Sequence, residues 1–434
     1  MSPKKWRWMI LISKSINSFI TLGMFKGMGV FIPYFVDHFQ TSVASVGLAL
    51  GLFGSLCSLI APVASAMTCY GPRKLVMIGG AVTAIGIIGA ATSSSILHLA
   101  MWLSLSSIGE SLVLLPSFKP LMDYFPESFA TVNGLSLAVG TFGMMLFPPF
   151  SEWLIEKCGW RGALCVLGAV NFNLCATGAL FRPLADKQRT AVSQMGYQQV
   201  RDQELTNECA ENNHSSGLVG GCWQHFRTIF SVLKAKFDTT LFVDEPWFTL
   251  FLVGFFFSGA VYAGWHLFLV PHAITLGYGS QLSSFLSTFG GIGSFVGRLS
   301  NGFLIDNNLI RPVNLFIVAS FICGMTCLAD PLAVSSFVAL SVLAAITGLV
   351  VGFIYPLTFV IVNTIAEGRE MAAIGWLYVF LGAGHMFGGY FTGWMKDLTQ
   401  DYGVVFMSYG MMSLVVVVLM MGPKLNRLCC HSDS

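Results

Sequence analysis

The sequence has 434 residues, of which only 10% are charged and 55% are hydrophobic. Ordinary soluble domains carry about 25% charged residues, which cover most of their surface. Disorder of the whole chain is excluded by the same numbers, because disorder requires low hydrophobicity and high charge. The net charge of +2 gives no basic stripe for nucleic acid, so no such partner is expected. The composition therefore indicates a polytopic protein whose main partner is the lipid bilayer.

Apolar runs long enough to cross a bilayer, which takes about 20 helical residues, follow one another along the chain. Six predicted spans lie near 8–35, 43–68, 75–95, 97–121, 130–154 and 160–181. After a polar stretch, six more lie near 246–272, 280–305, 312–330, 333–361, 371–395 and 404–422. These runs are longer than barrel strands and do not alternate as strands do. We therefore predict an all-α membrane protein with twelve transmembrane helices.

Six spans, a long loop and six more spans form the layout of the major facilitator fold, in which two six-helix halves rock around a midplane site. We predict an N-terminal half over 1–181, a cytosolic central loop over 182–244, a C-terminal half over 245–422 and a cytosolic tail over 423–434. The first part of the loop is rich in polar residues and is expected to be disordered. Lys and Arg near span ends lie almost all on the side of both termini, which predicts that both are cytosolic.

Charged side chains inside the apolar spans are the first candidates for function, because they normally face a cavity or a partner. Four cations fall within spans, namely Lys14, Lys26, Lys119 and Arg298. Lys14 and Lys119 lie near the inner ends, where a lysine is expected to reach the membrane surface. Lys26 and Arg298 lie deeper, and we expect both to face a cavity.

Glu110 is the acidic counterpart, near the middle of the fourth span. Its carboxylate could pair with Lys26, carry a proton or accept a substrate amine. Two deep cations against one acid predict a net positive cavity, which favours an anionic or zwitterionic substrate. Phe353, Tyr355 and Trp376 could supply an apolar wall, although such rings more often serve packing.

Signatures of catalysis are missing from the sequence. There is no zinc-binding His-Glu-x-x-His, no Gly-x-Ser-x-Gly elbow and no phosphate loop. We therefore expect no enzyme activity, no cofactor and no metal. His266 and His272, near the outer end of the seventh span and without an acidic neighbour in the sequence, are interpreted as interface histidines.

Several stretches resemble the monocarboxylate transporter family of the major facilitator superfamily. The strongest runs from Trp160 to Leu184, and others cover 123–138, 269–273 and 388–397. The resemblance spans both halves and implies a carboxylate transporter of the plasma membrane. Some members need a single-span immunoglobulin-type ancillary glycoprotein to reach the surface, so such a glycoprotein is a candidate partner.

The resemblance also assigns expected roles to individual residues. Lys26 falls on the first-span lysine that proton-coupled members use for coupling, and Arg298 on the arginine that binds the substrate carboxylate. Ser294 stands where those members carry a proton-relaying aspartate, on the helix face of Arg298. A serine does not titrate near neutral pH, so we expect facilitative transport by alternating access.

In this interpretation Arg298 binds the carboxylate, Lys26 adds positive charge and Ser294 hydrogen-bonds nearby. Tyr355 shapes the wall, and Glu110 balances charge or recognises a cationic end. One alternative is a proton-coupled monocarboxylate symporter that uses Glu110 as its proton carrier. The alternative from another class is a membrane receptor or scaffold that does not transport.

Overall fold

The computed structural model describes residues 3–125, 128–182, 237, 239–307, 309–366 and 369–432, and these ranges are helical, without a β-strand. Up to residue 182 the helices are α1 (Pro3–Gly27), α2 (Ile32–Phe39), α3 (Val43–Leu59), α4 (Ala61–Ala66), α5 (Pro72–Ala90), α6 (Ile96–Leu114), α7 (Phe118–Tyr124) and α8 (Phe129–Leu180). After it they are α9 (Leu241–Asp244), α10 (Pro246–Thr275), α11 (Ser280–Asp306), α12 (Pro312–Leu328), α13 (Asp330–Ala333), α14 (Phe337–Ile365), α15 (Glu370–Thr399) and α16 (Tyr402–Ser432). The predicted all-α class is confirmed.

Local sequence signals set several of these helix boundaries. The hydroxyls of Ser95 and Ser336 cap α6 and α14 by accepting the backbone N–H three residues further on. Pro72, Pro246 and Pro312 stand in the first turn of α5, α10 and α12, where a missing N–H removes no helix hydrogen bond. These signals mark where α5, α6, α10, α12 and α14 begin.

Nine helical stretches in the described ranges are long and apolar enough to cross a membrane. The first, Trp6–Phe39, joins α1 and α2 through a 3-10 turn at Met28–Phe31. The 50-residue stretch Thr131–Leu180 is divided by Gly159, whose φ of 70° breaks the helix. With that division, and with α11 and α12 added, the arrangement is consistent with the predicted twelve passes.

The helices before and after the central loop form two packed sets. In the first set α8 packs against α1 and α5, and α6 packs against α3 and α5. In the second set α15 packs on α10, α14 on α11 and α16 on α12. The sets meet through α3 against α15 and α8 against α11. The exact boundaries of the halves stay a prediction, since residues 183–236 of the loop lie outside the described ranges.

Close backbone packing joins the two sets near the start of α3. Gly47 lies so close to the Gly389 carbonyl of α15 that there is no room for a Cβ. The carboxylate of Asp397, also on α15, accepts the backbone N–H groups of Val43 at 3.0 Å and Ala44 at 2.8 Å. An anion at this position compensates the positive end of the α3 dipole.

Candidate functional site

Lys26 lies in the last turn of α1, where the helix tightens into the 3-10 turn. Its side chain is buried, with 1% of its surface exposed. The ammonium lies 4.2 Å from the ring centroid of Trp265 on α10, a cation–π contact between the two sets of helices. Within the described part of the chain, Lys26 Nζ has no hydrogen-bond partner. The site therefore contains a buried lysine whose charged form has no anion beside it among the residues described.

A cluster of aromatic rings lies next to Trp265 and is formed by Phe25 of α1, Tyr262 and His266 of α10 and His385 of α15. Phe25 stacks against Tyr262, with centroids 6.1 Å apart, and against His385 at 5.8 Å. Tyr262 contacts His266 at 4.0 Å and His385 at 5.6 Å. We call these four residues the ring cluster. Because α1 belongs to one set and α10 and α15 to the other, the ring cluster lies between the two sets.

Arg298 approaches the ring cluster from α11. Its Nε lies 3.5 Å from Ser294 Oγ, at the long limit of a hydrogen bond, and this is its one side-chain partner among the residues described. Ser294 is 1% exposed. Gly293 and Gly297 let α11 pack directly on the backbone of α14, which carries Tyr355. Among the residues described, most of the guanidinium donors therefore have no hydrogen-bond partner.

Tyr355 links the Arg298 region to the ring cluster. Its ring lies 4.5 Å from Tyr262, and its hydroxyl is buried without a partner in the described ranges. The positive charges of Lys26 and Arg298 both act on the His266 ring. Lys26 of the first set and Arg298 of the second therefore both lie near the ring cluster.

Glu110 lies apart from the two cations. It is 7% exposed on α6, beside Cys57 of α3. In the described ranges it forms no ion pair with Lys26, so the pairing of these two charges is not seen. Cys57 is three residues beyond Gly54, the α3 residue that His385 contacts. Glu110, on α6, therefore lies beside a part of α3 that is about one helical turn away from the ring cluster.

The structure brings together four of the residues that the sequence singles out: Lys26, Ser294, Arg298 and Tyr355. Of the other predicted wall residues, Trp376 instead packs against Phe237 and Phe242. The assigned binding roles stay predictions at this point, since geometry alone gives proximity and not affinity.

The interpretation of His266 and His272 as interface histidines is wrong, because each is only 1% exposed. His266 belongs to the ring cluster, and both of its ring nitrogens lack a partner in the described ranges. His272 lies 2.9 Å from the carboxylate of Asp330, which is 58 positions further along the chain. Sequence reasoning also missed His385 and Trp265. The one signal available in the sequence was for His385, as a polar residue inside an apolar run.

A helical bundle with charged side chains buried between two halves is the architecture of a membrane transporter. Residues 15–332 match the family model described as Major Facilitator Superfamily. The chain therefore belongs to the Major Facilitator Superfamily, and it is a multi-pass membrane transporter and not an enzyme.

Curated relatives confirm the resemblance to the monocarboxylate transporters. Monocarboxylate transporter 13 of Rattus norvegicus is 28% identical, covering 93% of this chain and 86% of the relative. Monocarboxylate transporter 11 of Mus musculus is 26% identical, covering 93% and 84%. Monocarboxylate transporter 12 of Xenopus laevis is 24% identical, covering 98% and 90%.

Solved structures support the fold. A mutant of the peptide transporter POT in complex with sulfate superimposes with a TM-score of 0.71 at 12% identity, covering 97% of this chain and 95% of that one. A mutant of the nucleoside transporter NupG gives 0.69 at 14% identity, covering 95% and 99%. At these identities the likeness concerns the fold alone, and it confirms the predicted major facilitator architecture.

Proposed function

We propose that this transporter carries a small organic carboxylate by facilitative alternating access, and that the site between Lys26 and Arg298 binds it. The observation that carries the proposal is the pair of cations, one from each set of helices, with no anion to neutralise either in the described ranges. The names of the curated relatives point to the same class of cargo.

An uncompensated ammonium in a protein interior is expensive, and the effective penalty is several kcal/mol per ion. A carboxylate ligand removes that penalty at Lys26 and gains a charge-assisted hydrogen bond. Arg298 then supplies the planar fork that matches the two oxygens of a carboxylate. The site is therefore complementary to an anion.

The remaining residues have supporting roles in the proposal. Ser294 hydrogen-bonds beside the carboxylate, and Tyr355 with the ring cluster forms the wall around the carbon skeleton. No titratable side chain stands at position 294, which favours facilitated movement over proton coupling. We place the protein in the plasma membrane with cytosolic termini, the halves at 1–181 and 245–422, and the loop at 182–244. An immunoglobulin-type ancillary glycoprotein is the proposed partner for delivery to the surface.

Glu110 favours a second candidate, a proton-coupled monocarboxylate symporter. This carboxyl is 7% exposed and has neither an ion pair nor a hydrogen bond within the ranges described. A buried carboxyl without a partner tends to be neutral, and a neutral carboxyl can hold a transported proton. In this candidate Glu110 carries the proton, in place of the aspartate that proton-coupled members have where this chain has Ser294.

Uptake by purified protein in proteoliposomes tests the proposal. Labelled carboxylates should enter with saturation and should equilibrate without being concentrated, with or without a proton gradient. Amides of the same skeletons, which carry no negative charge, should not compete. Saturable uptake of the amides at the rate of the acids would refute the anion site. If the acids are instead accumulated above the external concentration, and a protonophore abolishes this accumulation, the result would support the symporter.

A further inference from the structure

We propose that His385 recognises a hydrogen-bond donor on the substrate, so that the preferred cargo is a carboxylate that also carries a hydroxyl or an N–H group. This inference rests on the proposed function and adds to it the substrate group opposite the carboxylate. It follows from the tautomer of one buried imidazole and from the balance of donors and acceptors around it.

The tautomer is set by a contact between the two sets of helices. His385 Nδ1 lies 3.4 Å from the backbone carbonyl oxygen of Gly54 on α3. A carbonyl oxygen only accepts hydrogen bonds, so Nδ1 carries the proton and donates it. The other nitrogen, Nε2, then holds a lone pair and can only accept.

Nothing in the described part of the protein satisfies that lone pair. Nε2 is buried and has no partner, and the whole side chain is only 7% exposed. The ring is held between Phe25 at 5.8 Å and Tyr262 at 5.6 Å, with interplanar angles of 25° and 19°. A ring stacked on two neighbours cannot turn its nitrogen towards water without losing both contacts. The acceptor is therefore fixed in place.

The polar groups around His385 are mostly donors. Lys26 and Arg298 offer only N–H groups, whereas the unpartnered imidazole of His266 and hydroxyl of Tyr355 can each donate once and also accept. These groups suit the oxygen atoms of a carboxylate. A donor on the ligand has His385 Nε2 as its natural partner, because a bound ligand without a donor leaves that nitrogen unsatisfied.

The unprotonated ring nitrogen of His266 is one rival acceptor, and Glu110 is the other. Its neighbour Cys57 lies about one helical turn along α3 from Gly54, so a longer ligand could present its donor to Glu110 instead. These possibilities are separated by mutating each acceptor in turn.

The test compares acids that differ by one hydroxyl. Uptake of lactate and propionate, and of 3-hydroxybutyrate and butyrate, is measured in proteoliposomes as kcat/KM. Leaving a buried acceptor unsatisfied lowers affinity by a factor on the order of 10 to 100. We expect the hydroxy acid to be preferred by about that factor in at least one pair. The wild-type comparison requires no variant and therefore does not depend on how a mutant folds.

Variants assign the preference to a residue. His385→Phe keeps a ring on Phe25 and Tyr262 without an acceptor and should reduce the preference to about 2-fold or less, whereas His385→Gln, whose amide oxygen accepts, should keep part of it. Glu110→Met and His266→Phe, which remove the two rival acceptors, and the control His98→Phe should leave the ratio unchanged. His98 is twelve residues from Glu110 on α6, about 18 Å away.

The outcomes separate this inference from the proposed function. If the acids enter but neither pair shows a preference, the carboxylate site stands and the role of His385 is refuted. If the preference is lost in Glu110→Met or in His266→Phe and kept in His385→Phe, the residue replaced in that variant is the acceptor and the inference is wrong. If no acid of either pair is transported by the wild type, both the proposed function and the inference fail.

Discussion

Two buried lysines on the same helix allow a sharp test of the free ammonium at Lys26. Lys14 and Lys26 are both on α1, with exposures of 0% and 1%. Each ammonium lies over an aromatic ring, at 3.8 Å from Phe118 and 4.2 Å from Trp265. They differ in hydrogen bonding, and replacing each by methionine isolates that difference.

Lys14 Nζ donates to Ser117 Oγ at 2.9 Å and to the Leu114 carbonyl at 3.4 Å, whereas Lys26 Nζ has no partner within the described ranges. Both substitutions relieve the burial of one ammonium and remove one cation–π contact, so these contributions nearly cancel in a comparison. Hydrogen bonds to a charged group contribute about 1.5–3 kcal/mol each. With one good bond and one long one, Lys26→Met should leave the protein about 2–4 kcal/mol more stable than Lys14→Met.

The assay is unfolding of both purified variants in one detergent, with and without a transported carboxylate. A ligand at about 100 times its Kd stabilises the folded state by about 2.7 kcal/mol. This shift should appear in Lys14→Met and be strongly reduced in Lys26→Met. Equal stability of the two unliganded variants would show that Lys26 is bonded in the protein, and would refute the argument for an unpaired cation.

Three further predictions use matched variants. Arg298→Lys should lower uptake by about tenfold or more at equal surface level, because an ammonium cannot form the bidentate pair, whereas the exposed Arg311→Lys should have no effect in the same flux assay. A protonophore should leave the final substrate accumulation unchanged; if it does not, Glu110→Gln should abolish the dependence on the gradient. In a thermal-unfolding series, Gly47→Ala should destabilise the protein by about 1–3 kcal/mol, since a Cβ there overlaps the Gly389 backbone. Gly134→Ala meets nothing within 4 Å and should be neutral or slightly stabilising.

The helical architecture was largely predictable because membrane helices are specified locally. Length and apolarity define each run, and prolines or serines mark where it begins, so the break predicted between residues 154 and 160 falls at Gly159. Two of the deep charges, Lys26 and Arg298, were also identifiable from the chain. A charge in an apolar run is conspicuous in a sequence whatever its partners are.

The neighbours of these charges could not be predicted, because they come from helices distant in the chain. Phe25 meets Tyr262 and His385 across more than 200 positions, and no periodicity within one helix reports such a contact. The expected exit of Lys14 to the membrane surface is wrong for the same reason. Ser117 and the Leu114 carbonyl hold its ammonium inside the bundle, and nothing in the sequence near Lys14 indicates either partner.

The placement of the two cations suggests how cargo binding and movement of the halves are connected in the proposed function. Lys26 belongs to the first set and Arg298 to the second, so that without an anion between them their like charges repel. Opening between the sets increases the distance between the charges and admits water, both of which lower that repulsion. A carboxylate between them turns the net interaction between the two sets from repulsion into attraction, because each cation then attracts the shared anion. A ligand shifts a conformational equilibrium only by its difference in affinity for the two states. Here the difference comes from the distance between Lys26 and Arg298, so a neutral isostere of the cargo should occupy the site without drawing the halves together.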